Sequence, residues 1–230
     1  MPDMTIARSQ TLRRRAVSRL RPFCARLWRD AGAATIVEMA LSMPLLMGLA
    51  LVGADVVNLA VLHLRLNQLA ITVADNASRA KQASATGAPQ FREYDVNQVF
   101  TGAGLSVQDL DFPNSGRIIL SSLEQNASGG QWIHWQRCWG SSKWASRYGV
   151  QNTGATGTGF AGMGQTTAPM QAEAGSAIMF VEVAYDYKPM FLSSIVTPKV
   201  IRKEAALYVR DDRDLTSGVV ATPGLTAATC

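Results

Sequence analysis

The sequence predicts an α+β fold in which a long, apolar N-terminal helix continues into a domain built on an antiparallel sheet. Three observations support this fold class. An almost unbroken apolar run covers residues 33–54, leucines at helical spacing follow it, and four segments of strand-like composition lie between residues 117 and 210. With 47 % hydrophobic and 17 % charged residues, the 230-residue chain can bury a core and is not expected to be disordered.

The positive charge of the chain is concentrated in its first thirty residues. Residues 1–30 contain eight Arg against two Asp, a balance of +6, whereas residues 31–230 hold the remaining 14 Lys and Arg against 15 Asp and Glu. Clustered Arg can neutralise nucleic-acid phosphates, but Arg followed at once by an apolar run is typical of a membrane topology signal. We therefore expect a basic cytoplasmic arm over residues 1–30 and no nucleic-acid partner.

The apolar run of residues 33–54 is long enough to cross a bilayer. Its 22 residues would form a helix of ~33 Å, against a hydrocarbon thickness of ~30 Å. The positive flank predicts a single-pass protein with the chain after Asp55 outside, which is the periplasm if the membrane is a bacterial inner membrane. Pro44 lies inside the span and is expected to bend it. The alternative is a secretory signal that is cleaved after Ala54.

The helical pattern continues beyond the apolar run. Neither Pro nor Gly occurs between residues 55 and 85, so a continuous helix is predicted to about residue 81. One face of this second half carries apolar residues at alternating steps of three and four. They are Leu59, Leu62, Leu66, Leu69 and Val73. Such a stripe packs into the core of a domain or forms a seam between helices of different subunits, and the first use is the more common.

Four segments with strand composition predict the antiparallel sheet. They are residues 117–123, 131–139, 177–187 and 199–210, the last of which could also be helical. Gly129 and Gly130 lie between the first two segments and suit a hairpin connection. A short helix is predicted ahead of the sheet, over residues 92–100.

Two segments lack the periodicity of helices and strands. Residues 149–175 contain seven Gly, which predicts a flexible loop. Residues 211–230 become small and polar after an acidic start, which predicts a loose tail. The predicted plan is therefore a basic arm 1–30, a transmembrane and extended helix 31–83, an α+β domain 84–210 and a tail 211–230.

The reactive side chains do not form a catalytic or metal-binding motif. The sequence contains no zinc-type spacing of Cys and His, no phosphate-binding loop and no nucleophile elbow. We therefore predict neither an enzyme nor a bound cofactor or metal. Cys24 lies in the basic arm. Cys138 and Cys230 would share an oxidising compartment, where they either form a disulfide or remain free thiols.

Glu38 is the only charged residue in the apolar run. A carboxylate inside lipid costs ~2.5–3.5 kcal/mol on insertion scales, so it is expected to have a partner. The segments GAATIVEMALSMPLL and RLNQLAITVADNASRA resemble the TadE-like family, the minor pseudopilins of tight-adherence (Tad) pili, over about residues 31–80. The matching residues are Gly32 with Ala33 and Ala34, Val37 with Glu38, Ala40 with Leu41, Pro44 with Leu45 and Leu46, and then Asn67, Ala70, Ala77, Arg79 and Ala80.

The resemblance implies a pilin-like fold and a processing step at the cytoplasmic edge of the membrane. In this family a prepilin peptidase cuts after a small residue, and a glutamate five residues into the mature chain pairs with the new N-terminal amine of a neighbouring subunit. Glu38 is fifth after a cut at Ala33 and sixth after a cut at Gly32, so the processing site is expected within Gly32, Ala33 and Ala34. The alternatives are an unprocessed, anchored chain and a Glu38 that only extends towards Arg29 at the membrane surface.

The resemblance also implies a part in the assembly of an adhesive Tad-type pilus, which is related to type IV pili. The expected partners are other pilins and pseudopilins, the prepilin peptidase and the inner-membrane assembly complex. A different class of function is an envelope protein that uses the helix only as an anchor. Such a protein would bind a glycan or surface ligand through its Trp-rich segment, residues 132–144, or its Gly-rich segment, residues 149–175. A secreted enzyme is a third alternative, which would require the cut after Ala54.

Overall fold

The computed structural model of the chain describes residues 31–80, 82–84, 87–191 and 199–230. The predicted basic arm, residues 1–30 with Cys24, lies outside the described residues. Helices and an antiparallel sheet are both present, which confirms the mixed helix and sheet composition of the predicted fold class. The chain divides into two compact units, Met1–Val56 and Val57–Cys230.

The first element is helix α1, Ala31–Arg79, which has 49 residues and contains Pro44 in its interior. In the first unit the side chains of α1 from residue 34 to residue 50 are all exposed. They include Leu41 and Leu45, which are 74 % and 75 % exposed. This helix near the N-terminus is long and apolar enough to span a membrane.

The described residues after α1 form a series of short helices and strands. In chain order they are β1 (Gln82–Ser84), β2 (Gly87–Arg92), α2 (Glu93–Ser106), a 3₁₀ turn (Gln108–Leu110), α3 (Phe112–Ser115), β3 (Gly116–Gln125), β4 (Gln131–Gly140), β5 (Met163–Gln165), β6 (Ala168–Met170), β7 (Ala177–Tyr187), β8 (Lys199–Tyr208) and β9 (Val219–Val220). The helix predicted at residues 92–100 is α2. Its start is stabilised by Asp95, whose carboxylate accepts a 2.9 Å hydrogen bond from the backbone N–H of Arg92.

The main sheet has the strand order β4-β3-β7-β8, and every neighbouring pair is antiparallel. The four predicted strand segments are confirmed, and the last of them is a strand rather than a helix. β3 and β4 form the predicted hairpin, with Gly129 at a φ of 79° in the turn. Successive residues of β7 alternate between two apolar layers, so that Val181 and Val183 face one layer while Ile178 and Phe180 face the other.

The inner face of the sheet packs against α2 and against the part of α1 in the second unit. Val96 and Phe100 of α2 are buried in one cluster with the apolar residues of α1 from Leu62 onward. Leu66 is 0 % exposed, whereas Leu64, on the other side of the helix, is 71 % exposed. The leucine stripe therefore packs in the core of the second unit, which was the more common of its two predicted uses.

The outer face of the sheet is covered by the connection between β4 and β7. A second apolar cluster forms there, with the buried members Leu123, Ile133, Met163, Ala172, Ile178 and Phe180. The Gly-rich segment 149–175 contributes two of these residues, and it also contains the paired strands β5 and β6. This differs from the predicted flexible loop: Gly154 and Gly175 lie in turns, Gly164 lies in β5, and the segment is packed against the sheet. Composition alone does not reveal these apolar contacts.

Asn126 attaches the Gly-rich segment to the β3–β4 turn. Its Nδ2 donates 2.8 Å hydrogen bonds to the carbonyl oxygens of Gly154 and Gly157. Its Oδ1 accepts hydrogen bonds from the backbone N–H groups of Ser128 and Gly130. Asn126→Ala would remove the partner of all four groups, so we expect the free energy of unfolding to fall by about 1–3 kcal/mol.

Thermal unfolding of the full chain in detergent micelles, followed by tryptophan emission, measures this loss. The matched control is Gln125→Ala, because Gln125 is the exposed neighbour of Asn126 and makes one side-chain hydrogen bond to this turn. Limited proteolysis should also cut residues 149–175 faster in Asn126→Ala. Equal stability of the two variants would contradict the anchoring role of Asn126.

The tail, residues 211–230, is attached to the second unit at several points. Arg213 is buried, and its guanidinium donates a 2.8 Å hydrogen bond to the carbonyl oxygen of Ala77. β9 pairs in parallel with β2, and the carbonyl oxygen of Ala228 accepts a hydrogen bond from the backbone N–H of Cys138. The prediction of a loose tail is corrected by these contacts, which join residues far apart in the sequence.

The second unit also differs from the predicted domain plan at its start. It begins at Val57, so the last turns of α1 belong to it, whereas the predicted domain covered residues 84–210. The helix predicted for residues 31–83 ends at Arg79, because the chain then forms the short strand β1. The boundary moves because the leucine stripe completes the core of the domain.

Candidate functional site

Glu38 lies near the start of α1, on an apolar surface. Its side chain is exposed, and so are those of Ile36, Val37 and Met39 around it. This arrangement holds one carboxylate on a surface that offers little other polarity, where it can accept hydrogen bonds or pair with a cation. Arg29, the alternative partner expected from the sequence, lies outside the described residues.

The predicted processing site lies in the first turn of α1, which contains Gly32, Ala33 and Ala34. Glu38 follows Ala34 by four residues, which corresponds to about one helical turn and places both on the same side of the helix. A cut after Ala33 would therefore create an ammonium group about one turn from the carboxylate. The spacing suits an ion pair at the edge of an apolar surface.

The apolar side chains of α1 in the first unit form a continuous exposed surface. Its large members include Ile36, Leu41, Leu45 and Leu49, each more than two-thirds exposed. A surface of this kind marks contact with lipid or with other apolar helices. The backbone polar groups inside an α-helix are paired with each other, which is the condition for a segment to lie in lipid.

The predicted packing residues on α1 are found in the second unit. Leu62, Leu66, Leu69 and Val73 are buried, and Leu59 is partly buried against the same cluster. They pack in the inner layer of the domain.

The four tryptophans of the Trp-rich segment are used mainly for packing. Trp135 and Trp144 are buried. Trp139 stacks on Phe112 with ring centres 5.5 Å apart, and Trp132 stacks on a neighbouring histidine ring at 4.3 Å. These rings do not form the free row of aromatic faces that a stacking site for sugars would need. The Trp-rich segment is therefore a poor location for the ligand site of the alternative function.

Cys138 and Cys230 form a disulfide, with their Cα atoms 4.9 Å apart. The bond joins the tail to β4. His134 is also on β4, and its Nδ1 lies 2.9 Å from Oε2 of Glu124 on β3. The partly buried imidazole therefore has a hydrogen-bond partner in the sheet.

Two carboxylates on the outer face of the sheet were not singled out by the sequence. Glu182 of β7 and Glu204 of β8 lie directly opposite each other in the strand register. Glu182 is buried and accepts hydrogen bonds from the Ser146 hydroxyl (2.5 Å) and the Arg147 backbone N–H (2.9 Å), while Glu204 accepts one from the Tyr148 hydroxyl (2.8 Å). Burial raises the pKa of Glu182, and burial with the nearby Glu204 raises the pKa of Tyr148 to about 12.

Two open cavities border the outer layer of the domain. The larger has a volume of about 540 Å³ and a largely polar lining that includes Gln125, Thr158, Phe160, Gln171 and Tyr208. The smaller has a volume of about 240 Å³ and is lined by Gly164, Gln165, Ala168, Met170, Phe180, Glu204, Ala205 and Ala206. The smaller cavity, which we call the apolar slot, lies beside β8.

Comparison of the chain with protein-family models, with curated proteins and with solved structures finds no match. The function therefore has to follow from the residues and their arrangement.

Proposed function

We propose that the chain is a membrane-anchored, pseudopilin-like protein that takes part in the assembly of a Tad-type adhesive pilus. The observation that carries this proposal is the exposed apolar surface of α1 in the first unit, with Glu38 as the only charged residue in the apolar run 33–54. In this proposal residues 1–30 are cytoplasmic, α1 crosses the bacterial inner membrane once, and the second unit is a pilin-like domain in the periplasm.

The proposed mechanism depends on one ion pair. A prepilin peptidase cuts within Gly32, Ala33 and Ala34, and the cut creates an ammonium group at the membrane border. The Glu38 carboxylate of a neighbouring subunit pairs with this amine when subunits enter the pilus. Lipid gives both charges little solvation when they are apart, so their pairing favours assembly over the separate subunits. The partners are other pilins and pseudopilins, the peptidase and the inner-membrane assembly complex.

The mature N-terminus distinguishes the membrane hypotheses. We expect intact-mass analysis of chain extracted from native membranes, with its peptidase present, to give a chain that starts at Ala33 or Ala34. A start at Asp55 would overturn the membrane anchor. An uncut chain would overturn the pairing role, since Glu38 would then have no new amine to bind.

Glu38→Ala is expected to abolish co-isolation of the chain with sheared pili while leaving its amount in the membrane unchanged. The reason is that alanine removes the charge that pairs with the amine and makes the span more apolar. Ser42→Ala is the matched control, because Ser42 lies one turn further on the same side of α1 and its hydroxyl donates a hydrogen bond to the nearby carbonyl oxygen of Met39. Normal recovery of Glu38→Ala with pili would contradict the mechanism.

A second candidate function is an anchored envelope protein that binds a neutral glycan. The observation in its favour is the 540 Å³ cavity, whose lining combines the carboxamides of Gln125 and Gln171 with the aromatic rings of Phe160 and Tyr208. Carboxamides and aromatic faces are suited to sugar hydroxyls and sugar rings respectively. Glu38→Ala separates the two functions, because it should leave glycan binding by the domain unchanged.

A further inference from the structure

The two edge strands of the main sheet differ in how far their free edges are hydrogen-bonded. β4 is one edge strand, and its edge facing away from β3 is hydrogen-bonded to other segments. Ile133 exchanges two backbone hydrogen bonds with the Gly-rich segment, donating to the carbonyl oxygen of Thr153 and accepting from the N–H of Asn152. The N–H of Cys138 donates to the carbonyl oxygen of Ala228 in the tail. β8 is the other edge strand. Among the strands of the described residues it pairs only with β7, although it has 10 residues. The edge of β8 that faces away from β7 offers a row of backbone N–H donors and carbonyl acceptors.

The apolar slot lies next to this open edge. Phe180 and Ala206 are opposite each other in the β7–β8 register and form part of its lining. Gly164 and Met170 of the β5–β6 pair line it as well, and Met170 is 44 % exposed. A volume of about 240 Å³ is enough for one aliphatic side chain. A strand added beside β8 would bring every second side chain to this face of the sheet.

The first half of β8 is positively charged on both faces. Arg202 lies on the outer face of the sheet, and Lys199 and Lys203 lie on the inner face. The pKa of His63 on α1 is lowered by burial and then by the positive charges of these two lysines. Within the part of the chain that the structure describes, none of these three cations on β8 forms an ion pair. A partner strand is therefore favoured if it brings carboxylates, and a basic strand is disfavoured.

We propose that the open edge of β8 binds an extended, acidic segment of another protein as an added antiparallel strand. The segment places an apolar side chain in the slot beside Ala206 and, four residues later, a carboxylate beside Arg202. Backbone hydrogen bonds along β8 supply affinity, and the slot and the arginine supply register and specificity. This inference does not depend on the proposed role in pilus assembly.

A second copy of the chain is a poorer occupant of this edge. In the antiparallel register that places Arg202 opposite Glu204 of another copy, the two Lys203 side chains face each other on the inner side. Glu204 is also already engaged by the Tyr148 hydroxyl, with the Arg147 guanidinium 3.7 Å away. The charge pattern therefore favours an acidic partner over self-association.

A synthetic strand peptide tests the proposal with the full chain in detergent micelles. The fluorescently labelled probe alternates threonine and valine and carries a single leucine with a single glutamate four residues later. We expect saturable binding by fluorescence anisotropy, about tenfold weaker for Ala206→Leu, which fills the slot, and about tenfold weaker for Arg202→Glu, each corresponding to about 1.4 kcal/mol. A peptide with lysine in place of the glutamate should bind Arg202→Glu better than it binds the natural chain.

Two controls make the outcome decisive. Lys188→Glu changes the charge by the same amount at an exposed position outside β8 and should leave binding unchanged. Unchanged thermal unfolding of each variant shows that it is folded. The proposal is overturned by absence of binding at about 1 mM peptide, by equal affinity for the natural chain and Arg202→Glu, or by dimers of the chain that form through β8 in place of peptide binding.

Discussion

Cys230→Ser is expected to destabilise the second unit by about 4 kcal/mol, the largest effect that we predict for a single substitution. The disulfide joins residues separated by 92 positions, and closing a loop of this length removes about that much conformational free energy from the unfolded chain. The bond also holds the tail, whose Ala228 pairs with β4 and whose Cys230 carbonyl oxygen accepts a 3.3 Å hydrogen bond from Arg117. For a unit of this size the loss corresponds to a fall in Tm of about 10 °C.

Thermal unfolding of the full chain in detergent, followed by tryptophan emission, measures this effect with and without a reductant. Reductant should lower the Tm of the natural chain to that of Cys230→Ser and leave the variant unchanged. Cys24→Ser is the control, because Cys24 lies outside the disulfide. The double variant Cys138→Ser with Cys230→Ser should be no less stable than either single variant, since all three lack the same bond. A Tm that reductant does not change would contradict the prediction.

Leu66→Ala is expected to lower the free energy of unfolding by about 3 kcal/mol. Leu66 is 0 % exposed in the layer between α1 and the sheet, and truncating a fully buried leucine removes apolar burial and leaves a cavity. Leu64→Ala is the matched control on the same helix. Leu64 is 71 % exposed, so its truncation should change the free energy of unfolding by no more than about 0.5 kcal/mol.

The same pair of variants separates the two predicted uses of the leucine stripe. Core packing requires that Leu66→Ala unfolds at lower temperature at every protein concentration. A seam between subunits would instead make its Tm depend on concentration, because dissociation would then precede unfolding. If Leu64→Ala is the more damaging of the two, the inner face of α1 has been assigned to the wrong side of the helix.

Local periodicity explains why several elements were predictable. The apolar run and the leucine stripe repeat every three to four residues, and that pattern identifies a helix without information about its neighbours. β7 was predicted with its observed bounds, because its alternating apolar residues have the period of a strand. The segment that became β8 remained ambiguous, because its charged middle fits either structure until β7 pairs with it.

The features that the sequence did not predict all depend on contacts between residues that are distant in the chain. The outer carboxylates became visible only when the β7–β8 register placed Glu182 opposite Glu204. The Gly-rich segment is held by Asn126, which binds Gly154 and Gly157 from a turn that precedes them by about thirty residues. No local pattern encodes such contacts, because their formation depends on the path of the whole chain.

The sequence by itself determined the long helix, the lone charge of Glu38 in its apolar run 33–54, the positions of the four main strands and the two cysteines that could form a disulfide. These follow from side-chain polarity at short, regular spacings. Only the tertiary structure decided that the leucine stripe lies in the core, that residues 211–230 belong to the domain, and that β4 is covered while β8 remains open among the described strands. The physical reason is that burial and strand pairing are cooperative properties of the assembled layers, to which each segment contributes only one side.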